Sequence, residues 1–137
     1  MSIKYKIYSS KNLLVDILSG DINYSDLKKI FITEISDKGF KNVHKVLSNI
    51  IDANLNISYE EIKDYIRLMD NPDKDISFRW AILTSNPNQT AISYIFQNDP
   101  YFENIIGVFS TLKACNSFLN ISFEAKYFED NDYCIIE

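Results

Sequence analysis

Glycine, proline and cysteine are scarce in this chain: 137 residues hold three glycines, three prolines and two cysteines. So little Gly and Pro excludes a low-complexity linker and points to a single domain. Cys115 and Cys134 lie far apart and match neither a CxxC redox pair nor a zinc pattern. They read as reduced thiols, and the expected location is the cytoplasm. The sole histidine, His44, has no Ser, Cys or carboxylate partner near it in sequence, so it reads as a packed or edge-strand residue. One histidine does not make a metal site. No apolar run approaches the length of a membrane span, so no membrane insertion is expected. The first twenty residues do not read as a signal peptide, because Leu13-Leu14-Val15 meets Asp16 too soon.

Basic charge is also in short supply. Arginine is limited to Arg67 and Arg79, the lysines are scattered among acids, and net charge is −5. A phosphate-tracking surface needs a basic face, so nucleic acid is not an expected partner. Abundant Ile, Asn and Lys are what an AT-rich bacterial genome encodes.

What the chain does have is a repeated pattern: apolar strand, polar cap, helix. The caps read as Asn23, Ser58, Asn86 and Ser110. Ile3, Tyr5 and Ile7 alternate with polar neighbours and predict an N-terminal edge strand. A short turn joins it to a strand over Leu13 to Leu18, so those two are antiparallel. Gly20-Asp21 ends that strand. Asn23 with Asp26 opens a helix carrying Tyr24, Leu27, Phe31 and Ile35 on one face, which stops at Gly39 in a left-handed turn.

A strand over Val43 to Ile51 and a loop over 52–57 come next. Ser58 and Glu61 form a capping box for a helix burying Ile62, Tyr65, Ile66 and Met69, stopped by Asn71-Pro72-Asp73. Phe78 to Thr84 reads as a central parallel strand. Asn86-Pro87 starts the third helix, Ile105 to Phe109 the fifth strand, and Ser110 the fourth helix. The fold class expected is α/β, with one mixed five-stranded sheet, four βα units and an N-terminal antiparallel edge strand. Residues 1–120 form the domain. The acidic, aromatic tail 121–137 is expected to pack on the domain or on a partner subunit, and a homodimer follows from the second case.

The succession Leu14-Val15-Asp16-Ile17-Leu18-Ser19-Gly20-Asp21-Ile22, Val46-Leu47, Asp52-Ala53, Arg79-Trp80-Ala81-Ile82-Leu83-Thr84 and Val108-Phe109-Ser110-Thr111-Leu112-Lys113-Ala114 resembles the SpoIIAA-like (STAS-like) family over roughly residues 3–120. The resemblance implies a βα superhelix with an added N-terminal antiparallel strand. Relatives of this fold include anti-sigma-factor antagonists, regulatory domains of anion transporters and CRAL-TRIO-like lipid binders. Phosphorylated antagonists carry an Asp-Ser-Ser-Gly-like motif at the start of the second helix of the series. The matching stretch here, Asn56-Ile57-Ser58-Tyr59, keeps only a serine. The resemblance therefore carries the fold and not the phospho-switch.

No stretch carries a catalytic constellation, and no cofactor is implied. Parallel βα units place their turns along the carboxyl edge of the sheet, where open α/β folds bind ligands. That selects Asp52, Asn54, Ser58, Thr84, Ser85 and Asn86 as ligand- or partner-binding candidates. Ser58 is either a helix cap or a phosphoacceptor. Asp52 either hydrogen-bonds loop amides or accepts phosphate as in receiver domains. The functional expectation is a non-enzymatic regulatory or binding module engaging a protein partner or small ligand at that edge. The alternative is a carrier of a lipid or other apolar molecule, since an α/β shell rich in Tyr, Phe and Trp can enclose one.

Overall fold

The computed structural model describes residues 1–70 and 78–137. Among them are β1 (Ser2–Tyr8), β2 (Leu13–Asn23), α1 (Tyr24–Ile35), β3 (Lys45–Asn56), α2 (Tyr59–Met69), β4 (Arg79–Leu83), α3 (Pro87–Gln97), β5 (Ile106–Phe109), α4 (Leu112–Leu119) and β6 (Cys134–Ile135). One sheet runs in the order β5-β4-β3-β2-β1-β6. Strands β2 to β5 are parallel, and β1 is antiparallel to both β2 and β6.

Alternation along the strands divides the core in two. Leu14 and Leu18 of β2, Val46 and Ile50 of β3, and Ile82 of β4 face a cluster completed by α1, α2 and α3. Leu13, Val15, Leu47, Ala81 and Leu83 face the opposite cluster, closed by Cys115 and Leu119 of α4 and by Phe123 and Tyr133 of the tail. The inner strands are thus covered on both faces.

The sheet has six strands where five were expected, because Cys134 and Ile135 of the tail add to β1. Consequently β1 is not an edge strand. Tyr8 donates to Asp130 at 2.9 Å, Lys6 pairs with Asp132 at 2.8 Å, and Asn116 holds both backbone groups of Phe123. Residues 121–137 therefore lie on their own domain.

Strands β2 and β3 also run further than their apolar patterns suggest. In β2, Gly20 sits at φ +79°, and a Cβ there would lie 2.9 Å from the backbone of Met1. The strand continues past it to Asn23. In β3 an extra residue enters between Asn49 and Asp52, opposite Ile17 to Ser19. This bulge shifts the inward positions from Val46, Ser48 and Ile50 to Ala53 and Leu55, breaking the alternation. Residues 52–56 are therefore strand and not loop. The Asn49 side chain accepts from the Ile51 N–H at the bulge, at 3.1 Å.

Three caps are as expected: Asn23 and Ser58 in capping boxes, and Asn86 ahead of Pro87. The fourth is Thr111, not Ser110, because the Thr111 hydroxyl accepts from the Ala114 N–H. Gly39 is right-handed, at φ −78°, and α1 ends at Ile35. His44 lies just before β3 and is exposed. The stop at Asn71-Pro72-Asp73 lies outside the described residues.

Phe123 is 2% exposed, whereas Ile135 is 72% exposed. Phe123→Ala should lower unfolding free energy by about 3–5 kcal/mol in urea titrations. Ile135→Ala should stay within about 0.5 kcal/mol of the parent. Equal stability of the two variants would contradict a tail that completes the core.

Candidate functional site

Three inward positions of the sheet are polar or amphipathic rather than aliphatic. Asp16 of β2 lies directly opposite Ser48 of β3, and Trp80 of β4 stands diagonally beyond. The Trp80 indole N–H donates to the Ser48 hydroxyl at 2.9 Å, and the Ser48 hydroxyl in turn favours the Asp16 carboxylate. Above them, Glu34 comes down from the last turn of α1, one turn after buried Ile30. Asp16 is 5% exposed and Glu34 8% exposed.

These groups line a cavity of about 390 Å³ between α1, α2, α3 and the sheet. Its wall is otherwise apolar, with Ile30, Phe31, Leu55, Tyr65 and Phe96 among the lining residues. Toward the surface the wall includes half-buried Leu27, Ile35 and Phe40 and exposed Lys41. Tyr65 makes edge-to-face contacts with Phe31 and Phe96, which keeps that wall rigid.

Burial dominates the ionisation of the acid pair. Desolvation raises the Glu34 carboxyl well above the ordinary range, and the neighbouring Asp16 charge raises it further. Desolvation also raises Asp16, while hydrogen bonds from Glu34 and Ser48 act the other way. Of the two, Glu34 therefore holds its proton to the higher pH, and the hydrogen bond between them shares that proton with Asp16. The same burial, with both carboxyls nearby, pushes the Tyr65 phenol up. The shared proton and one hydroxyl do not fill the acceptor capacity of two carboxyls. Among the described residues, no N–H or O–H donor reaches the buried Asp16 Oδ1 and Glu34 Oε1.

Sequence reasoning missed this pair. The signal was present: Asp16 occupies an inward position between Leu14 and Leu18, and Glu34 falls four residues after Ile30. The expected helix face, with Tyr24, Leu27, Phe31 and Ile35, is rotated from the buried one, which centres on Ile30 and Glu34.

The carboxyl-edge candidates are placed as follows. Ser85 donates to the Ile51 carbonyl at 2.9 Å, joining the 84–86 turn to the β3 bulge. Thr84 is buried and bonds Thr90, while Asn86 caps α3. Asn54 is exposed and donates to Asp21 at 2.8 Å, and Asp52 is exposed beside it on β3. Ser58 is engaged in its capping box with Glu61. Gln89, not selected from sequence, organises this edge. It is 1% exposed and donates to the carbonyls of Ile51 and Ala53, supplying donors where the bulge disrupts the ladder. Burial raises the Cys115 thiol to about 11, which makes it inert. Among the described residues, no group of three metal-ligating side chains converges, and no helix is long and apolar enough to cross a membrane.

This architecture is the SpoIIAA-like α/β fold. A protein of the DUF3478 family with a SpoIIAA-like fold, from Shewanella loihica, is 17% identical. It superimposes with a TM-score of 0.59 over 87% of this chain and 95% of its own. The anti-sigma factor antagonist SpoIIAA in its unphosphorylated form is 10% identical. It superimposes with a TM-score of 0.53 over 82% of this chain and 91% of its own. No protein-family model and no curated protein matches the sequence.

The acid pair makes stability depend on pH in a defined direction. A carboxyl whose folded pKa is raised binds more protons folded than unfolded above its unfolded value. Its contribution is thus most favourable in acid and declines as pH rises through the unfolded value toward the raised folded one. Glu34→Gln removes that decline at one position. Relative to the parent, the variant should gain melting temperature as pH rises above the ordinary glutamate range. A difference that stays flat with pH would contradict a protonated Glu34.

Proposed function

We propose that this chain is a non-enzymatic binding module that takes up a small apolar molecule in the cavity between α1, α2 and the sheet. The observation that carries this reading is the cavity itself. Protein interiors are normally close-packed, with few voids larger than a water molecule. A 390 Å³ space walled by aliphatic and aromatic side chains lies within the size range of small-molecule sites, about 300–1,000 Å³. The few polar groups on its floor are the kind that orient a ligand. Among the described lining residues no nucleophile–base pair accompanies them, which favours holding over turnover.

A second surface gives the module a regulatory use. Asp52, Asn54, Ser85 and Asn86 are exposed near the carboxyl edge, on a framework that Gln89 holds to the β3 bulge. A protein partner engaging that edge would read a surface built on the same strands that floor the cavity. A solved structure of similar fold is an anti-sigma factor antagonist, which supports a protein-facing role. Asp52→Ala with Asn54→Ala should weaken such a partner's binding and leave the melting temperature nearly unchanged.

The neutral apolar fluorophore phenylnaphthylamine tests the cavity. It should bind one-to-one with a blue-shifted, enhanced emission. Ile30→Trp, which fills the space from α1, should weaken binding about tenfold or more at an overpacking cost of about 1–3 kcal/mol. Unchanged binding by a folded Ile30→Trp variant would place the probe elsewhere and remove the support for this function.

A further inference from the structure

The acid pair on the cavity floor identifies the chemistry of the ligand's polar end. Asp16 and Glu34 come from different elements, β2 and α1, and meet inside an apolar enclosure. Both are more than nine-tenths buried, and each carries an oxygen with no donor among the described residues. Structural acid pairs are usually neutralised by a lysine or arginine. Among the described residues, none of the ion pairs reaches either carboxyl. The cation in the cavity wall, Lys41, is exposed, and the other titratable groups near the pair are phenols. Tyr65 comes from α2, and Tyr5 of β1 sits beside Asp16 with its hydroxyl donating to Asp37 at 2.7 Å.

We propose that the cavity takes a lipophilic amine: a single ammonium head donating to Asp16 and Glu34, with an apolar body against the aromatic wall. This rests on the cavity being a ligand site. The charge count favours it. Two carboxyls side by side in a low-dielectric space carry a costly uncompensated negative charge as soon as either ionises. An ammonium supplies one positive charge and several N–H donors to oxygens that lack them. A neutral alcohol supplies one donor and no charge. A carboxylic acid adds a third acidic group, disfavoured by its like charge. The Trp80 indole holds the Ser48 hydroxyl that hydrogen-bonds Asp16, which restrains that carboxyl from behind.

Three probes of equal chain length separate the choices: decylamine, decanol and decanoic acid, each displacing phenylnaphthylamine from the whole protein at neutral pH. Decylamine should displace it at a concentration about tenfold or more below decanol, the factor expected of a charge-assisted hydrogen bond. Decanoic acid should be the weakest. In Asp16→Asn the amine advantage should vanish while decanol binding persists. Decanol or decanoic acid equalling the amine on the wild-type protein would overturn the head-group assignment and leave the cavity reading standing. An amine advantage undiminished in a folded Asp16→Asn protein would do the same. If none of the three displaces the fluorophore, the cavity reading falls and this inference with it. Should Asp16→Asn fail to fold, the wild-type ranking decides.

Discussion

Strand β2 is covered on both faces, and that single constraint shapes the rest of the molecule. Helices α1 to α3 lie over one face, and α4 with the tail lies over the other. A strand so placed is expected to be aliphatic throughout. Placing Asp16 in it obliges the protein to satisfy a carboxyl within its own core. Ser48 on the neighbouring strand and Glu34 from α1 both bond that one residue, and Trp80 holds Ser48 in place. Removing either carboxyl's partner would leave an uncompensated group in the interior, which is among the costlier changes a core can suffer.

Coverage of the second face has a different origin. Helix α4 has only eight residues, too few to close the sheet alone. The tail supplies the remainder: Phe123 beside Tyr8, Tyr133 beneath Lys4, and two residues that extend the sheet past β1. Two of its acidic residues tie it to the domain, while Glu124, Glu129 and Glu137 are exposed. Asp130 and Asp132 meet Lys6 and Tyr8 of the strand they cover.

The sequence made the α/β order legible because each helix is announced by a local signal. Asn23, Ser58 and Asn86 cap their helices through bonds spanning three residues, and such bonds can be read from spacing alone. Strand lengths were less legible. The bulge near Ile51 reverses which side of β3 faces inward, so Ala53 and Leu55 looked like loop. The sixth strand was hidden because Cys134–Ile135 is two residues long and pairs with a partner about 130 positions earlier. The cavity was hidden for a related reason. Asp16 and Glu34 are each visible as a polar residue in an apolar stripe, but that they meet is a fact of helix packing, not of local pattern. The edge candidates were found because caps and turns are local. Their polar atoms go largely to the backbone that they organise.

Everything proposed for the cavity turns on the two carboxyls that face each other on its floor. Carbon-13 NMR of the side-chain carboxyls observes their protonation directly across a pH titration of the unliganded protein. The Glu34 carboxyl carbon should change its chemical shift only above the ordinary glutamate range, because burial and the neighbouring Asp16 charge both raise it. A Glu34 signal changing within the ordinary glutamate range would contradict it.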